Sequence, residues 1–138
     1  MLMKKFCAAL LAAALTAAAA LPVSAASFAD VPAESALAAE VQKAADYGLM
    51  GGYSASTFGY SDPMTRGQFA AVLVRMMMKT MNWAAYTPDQ PSFADVPASH
   101  AWYSMAETVL SHDVVDAGNA FRPDAPITRA EMSEMLVR

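Results

Sequence analysis

MTRGQFAAVLVR at residues 64–75 returns as ITRAEMSEMLVR at 127–138, and this repetition decides how the chain is organised. Working outward, FADVPA at 28–33 returns at 93–98. Phe58 answers Phe121, each seven residues before its threonine. The copies run 28–75 and 93–138, 48 and 46 residues. Their difference falls in one loop, where GGYSAST at 51–57 is opposed by DAGNA at 116–120. Ordered repeats of this period are supersecondary units that must stack on neighbours to bury a core.

Each unit reads as helix, turn, helix. In the second, Trp102, Met105, Ala106, Val109 and Leu110 fall on one face of a helix. Leu37, Val41, Ala44 and Ala45 hold matching places in the first. Pro32 and Pro97 exclude helix upstream. Gly48 suits the left-handed residue that closes a helix, and Asp113 takes that place in the second unit. Short extended stretches follow at Leu49-Met50 and Val114-Val115.

The second helix opens with a capping box, Thr65 with Gln68 and Thr128 with Glu131. Its apolar face runs Phe69, Val72, Leu73, Met76, and in the second unit Met132, Met135, Leu136. The first of these helices is expected to reach about Met81, with residues 82–92 as a connector. Asp30 and Asp95 are expected to cap the turn before each first helix, with Asp62 and Asp124 in similar turn roles. The expected fold is mainly α, tandem helix-turn-helix units with short extended segments. The expected divisions are a leader at 1–25, a first repeat at 26–81, the connector, and a C-terminally short second repeat at 93–138.

Composition agrees once the leader is set apart. The 138 residues are 56% hydrophobic and 16% charged, greasy for a globular domain. Residues 1–25 concentrate that excess. Lys4 and Lys5 precede an apolar run from Phe6 to Leu21, and Val23-Ser24-Ala25 ends it. A positive start, an apolar middle and an A-x-A-like end make a secretory signal peptide, cleaved after Ala25 or Ala26. The run is too short for a membrane span, so no transmembrane anchor is expected after cleavage.

The remainder carries seven Lys/Arg against thirteen Asp/Glu, which argues against nucleic acid as a partner. Cys7 is the sole cysteine and lies in the leader, so the exported part can use neither disulfides nor thiol catalysis.

The ordered set FxDVP, a tryptophan about five residues on, G-[IL]-x-x-G, FxP and [IM]-T-R-[AEG]-[EQ] resembles the S-layer homology (SLH) repeat. The likeness covers nearly all of 28–138 except the connector. It implies a non-enzymatic anchor on an exported bacterial protein at the cell wall or S-layer. It also implies a partner, secondary cell-wall polysaccharide, often pyruvylated, or modified peptidoglycan. Three such repeats pack as a three-pronged bundle with ligand in the grooves, so two copies form an incomplete version. Association with other SLH chains is a second implied partnership.

The resemblance makes Thr65, Arg66, Thr128, Arg129 and Trp102 candidate glycan-binding residues. The residue chemistry agrees. An arginine at the first helical position can fork onto a carboxylate beside free helix N–H groups, and an indole offers a flat face to a sugar ring. The same residues also have structural readings. The threonines can act as caps alone, the arginines as internal ion-pair partners, and Trp102 as core. Gln68, Glu131, Asp30 and Asp95 are assigned structural, capping roles.

This chain departs from the pattern in several places. Leu37 stands where the tryptophan is expected, Gly67 follows Arg66, Phe58-Gly59-Tyr60 replaces FxP, and Asp113 replaces a glycine. On these grounds Arg129 is expected to matter more than Arg66 for binding.

Other chemistry is weaker. Met76, Met77, Met78 and Met81 could hold Cu(I), but helical spacing makes them core. No cofactor or metal site is expected, and His100 and His112 are expected on the surface. A small wall hydrolase would need two convergent carboxylates, for which Glu107 and Glu134 are the only helical candidates.

Overall fold

The computed structural model describes residues 28–138, so the expected leader and Cys7 lie outside the described residues. Four helices follow in order: α1 (Ala38–Asp46), α2 (Arg66–Thr80), α3 (Tyr103–Ser111) and α4 (Arg129–Val137). The fold is mainly α. The extended segments expected at 49–50 and 114–115 are irregular rather than strands. Among the described residues one β-type pairing occurs, an antiparallel bridge between Thr65 and Pro126 that joins the two repeats.

The first helix of each repeat ends in the same Schellman motif. Gly48 N–H donates to Ala45 O at 2.8 Å and Leu49 N–H to Ala44 O at 2.9 Å. In the second repeat Asp113 N–H donates to Leu110 O at 3.0 Å and Val114 N–H to Val109 O at 2.9 Å. The geometry requires a left-handed residue, and Gly48 (φ +64°) and Asp113 (φ +59°) supply it. Glycine does so freely, whereas Asp113 carries Cβ strain there.

Asp30 and Asp95 act at long range and not on the adjacent turn, correcting the sequence expectation. Asp30 accepts from the amides of Phe58 (2.7 Å), Gly59 (2.7 Å) and Tyr60 (3.1 Å). Asp95 accepts from Phe121 (2.8 Å) and Arg122 (2.7 Å). Each aspartate therefore ties the start of its repeat to the loop before the second helix. Phe28 against Phe58 (5.2 Å between centroids) and Phe93 against Phe121 (5.3 Å) pack beside these clamps. The amides of Phe58, Tyr60 and Gly59 hold the Asp30 carboxyl below its usual range. Burial would raise Asp95, but the amides of Phe121 and Arg122 outweigh it and its pKa is also lowered.

The core lies between α2 and α3. It contains Ala70, Leu73 and Val74 from α2, Tyr103, Ala106 and Val109 from α3, with Phe93, Val96, Val114, Val115, Phe121 and Met135. The second repeat's first helix thus packs on the first repeat's second helix. The buried face of α3 is rotated from the expected one. Tyr103, Glu107 and Thr108 are buried with Ala106 and Val109, while Trp102 precedes the helix and Leu110 is half-buried.

The rotation has a cause in the connector, which lies across α3. Glu107 accepts from Ser92 N–H and Ser92 Oγ (both 2.7 Å), and Thr108 Oγ1 from Tyr86 N–H (2.9 Å). Trp83 stacks on His112 with centroids 3.7 Å apart. By contrast α1 has no buried residue, and among the described residues no other helix precedes it.

Exchanging the two caps tests the Schellman geometry. Asp113→Gly should stabilise the fold by about 0.5–1 kcal/mol and Gly48→Ala should destabilise it by about 1 kcal/mol, read as shifts in the urea unfolding midpoint.

Candidate functional site

A groove of about 410 Å³ opens between the first repeat and Trp102 of the second. Its walls are the loop around Gly51–Tyr53, the loop Phe58–Met64, one side of α2 through Gln68, Val72 and Arg75, and the Trp102 indole. The indole packs against the start of α2. A Cβ at Gly67 would come within 2.6 Å of Trp102 Cδ1, so the missing side chain is what lets the ring approach. Trp102 is half-buried, a groove wall rather than the core residue its spacing suggests. Of the sequence-predicted site residues, Trp102 and Gln68 line this groove.

The groove's cation is Arg75, which sequence reasoning missed. A signal existed, because Arg75 closes the repeated motif and has Arg138 as its counterpart. The counterparts differ in their partners. Arg138 makes a bidentate pair with Asp116 (2.6 and 2.9 Å) and a contact with Glu134 at 3.1 Å. Asp116 corresponds to Gly51, so Arg75 meets no carboxylate there. It donates to Leu49 O at 3.2 Å and makes no ion pair among the described residues. A half-buried guanidinium with spare donors beside an indole, tyrosines and backbone amides suits an anionic, ring-bearing ligand.

Both capping boxes form, and both serve the junction between repeats. Gln68 N–H donates to Thr65 Oγ1 (3.2 Å), and Thr65 N–H to Gln68 Oε1 (2.8 Å). Glu131 N–H donates to Thr128 Oγ1 (3.2 Å), and Thr128 N–H to Glu131 Oε2 (2.9 Å). The N-terminus of α2 is already occupied from within. Arg66 N–H donates to Ala125 O at 2.9 Å and Gly67 N–H to Pro123 O at 2.8 Å.

The Arg66 side chain is held in the same seam, 14% exposed. It lies 3.5 Å from Glu131 Oε1 and 5.3 Å over the Phe121 ring. Its Nε is buried without a hydrogen-bond partner. Glu131 also pairs with Arg122. The Thr128 backbone and hydroxyl bonds come first among the causes that bring the Glu131 pKa down to about 2, with Arg122 adding to them. Arg129 and Thr128 are exposed at the start of α4, outside the groove.

The remaining candidates have structural occupations. Glu107 is fully buried and holds the connector, and Glu134 pairs with Arg138, so neither offers a free carboxylate. Met76, Met77 and Met78 pack against the core, while Met81 is exposed. His100 accepts from Trp102 N–H at 3.1 Å and lies 3.6 Å from Asp124.

A profile of the S-layer homology domain matches residues 27–70 and 92–133, more than half of the chain. The chain belongs to the S-layer homology family. No curated protein matches it. S-layer homology domains are binding and anchoring modules known for attachment to cell-wall polymers, and they occur in cell-surface and S-layer-associated proteins. No described helix of this S-layer homology protein is long and apolar enough to cross a membrane.

The seam gives two predictions. Asp30, Asp95 and Glu131 all have lowered folded pKa values, so their stabilisation is complete above the unfolded values, about 4.5 for Glu131. Each contribution is lost as pH falls through the lowered folded value, about 2 for Glu131. Glu131→Gln should therefore flatten the fall in melting temperature over that window. Arg66→Ala should cost about 1–3 kcal/mol, between an exposed and a fully buried pair, measured by urea unfolding.

Proposed function

We propose that this protein is exported and held non-covalently at the bacterial envelope by binding an acidic cell-wall polysaccharide in the inter-repeat groove. The polymer class is secondary cell-wall polysaccharide bearing carboxylates such as pyruvate ketals. One observation carries the reading: Arg75 reaches the groove without a carboxylate partner, opposite an indole held in place by Gly67. In this reading the carboxylate forks onto Arg75, a sugar ring lies on Trp102, and Gln68, Tyr53 and Tyr60 supply polar contacts.

This places the anion site away from Arg66, whose side chain has internal partners, and away from Arg129 on α4. Thr65 and Gln68 then support binding by fixing the start of α2. The second repeat's equivalent cation is neutralised by Asp116, which makes the first repeat's groove the better anion receiver. Export follows from the leader reading of residues 1–25.

Co-sedimentation with purified cell walls, before and after chemical removal of pyruvate, tests this. Trp102→Ala and Arg75→Gln should each weaken binding by about tenfold, as loss of one good anchor does, and depyruvylation should mimic Arg75→Gln. Arg129→Ala should leave binding nearly unchanged. Thermal melts check that Arg75→Gln, which also loses the bond to Leu49 O, remains folded. Full binding by both groove variants would refute the assignment.

A further inference from the structure

We infer that the protein self-associates head to tail, the first repeat of one copy docking on α4 of another. The inference rests on the inter-repeat geometry and does not require the glycan reading, although the loop it uses also forms one wall of the groove. Within one chain, the second repeat presents a plug and the first a socket. The plug is the loop 122–127 with the start of α3. Its carbonyls Pro123 O and Ala125 O accept from Gly67 and Arg66 N–H, and Ile127 N–H donates to Met64 O at 3.0 Å. Trp102 covers Gly67. Leu73 and Val74 of α2 are buried in the same junction, at 3% and 0% exposure.

The first repeat carries the same plug, and among the described residues nothing is seated against it as α2 is against the other. Gly59 (φ +84°) repeats the left-handed turn of Arg122 (φ +60°). Asp62 N–H donates to Gly59 O (3.0 Å) as Ala125 N–H does to Arg122 O (3.2 Å). Asp30 clamps this loop as Asp95 clamps the other. Tyr60 O and Asp62 O therefore stand where Pro123 O and Ala125 O stand. Leu37, in the position of Trp102, is 58% exposed.

The second repeat carries the same socket, which no described residue covers. Arg129 and Ala130 N–H, equivalent to Arg66 and Gly67, have no hydrogen-bond partner among the described residues. Leu136 and Val137, equivalent to the buried Leu73 and Val74, are 58% and 83% exposed.

The two free surfaces suit each other. A smaller side chain, Leu37, would meet a larger one, Ala130, where Trp102 meets Gly67. Asp62 replaces Ala125 on the plug and would sit near Arg129 of the socket, which makes no ion pair among the described residues, and opposite charges are favourable across an interface. Three backbone bonds would form: Arg129 N–H to Asp62 O, Ala130 N–H to Tyr60 O, and Met64 N–H to Ile127 O. They match those already made inside the chain. Because plug and socket are different surfaces, the contact is heterologous and generates a closed ring or an open chain.

Sedimentation velocity on the full chain, expressed in an exporting host so that any leader is processed, tests this. Leu37→Asp spoils the plug and Val137→Asp the socket, both at exposed positions. The wild type should self-associate with rising concentration, and each variant should do so at least about tenfold more weakly. Mixing the two variants should yield a one-to-one heterodimer, since each retains one sound surface. A wild type that stays monomeric up to about millimolar concentration would overturn the inference. So would a mixture that forms no heterodimer, or association indifferent to both substitutions. Wall co-sedimentation of the two variants separates this outcome from failure of the glycan reading, because neither residue lines the groove.

Discussion

The loop before α4 supplies the hydrogen-bond acceptors that the N-terminus of α2 lacks, and the rest of the molecule is arranged around that contact. The first N–H groups of a helix have no intrahelical partner. In α2 two of them are taken by Pro123 O and Ala125 O of the other repeat. This places Phe121 under the Arg66 guanidinium and Glu131 beside it. It also brings Trp102 down on Gly67. Neither repeat could build this alone, since one contributes donors and the other acceptors.

The same contact creates the groove. Trp102 belongs to the second repeat, yet its indole completes a wall otherwise made by the first. Two glycines separate the copies chemically. Gly67 admits the indole, and Gly51 leaves Arg75 unpaired where Asp116 binds Arg138. Duplicated sequence thus yields one groove with an available cation and an equivalent position where the cation is quenched.

The connector explains features that look anomalous in isolation. A buried glutamate and threonine on α3 are costly unless hydrogen-bonded. Glu107 and Thr108 are satisfied by Ser92 and Tyr86. They rotate the buried face of α3 away from the simple apolar stripe. A carboxylate that stands out in sequence as a catalytic candidate is therefore a strut.

By itself the sequence determined the repeat, the four helices, the capping boxes and the left-handed positions at 48 and 113. These depend on residues within a few positions of one another, where propensity and local hydrogen bonds decide. It also showed that Arg66 and Arg129 open equivalent helices, but not that one lies in a seam and the other in solvent. That difference, the long reach of Asp30 and Asp95, the role of Arg75 and the Trp102 wall were decided only by tertiary structure. Each joins groups more than twenty residues apart in the chain, and only the packing of α3 on α2 fixes which of them meet.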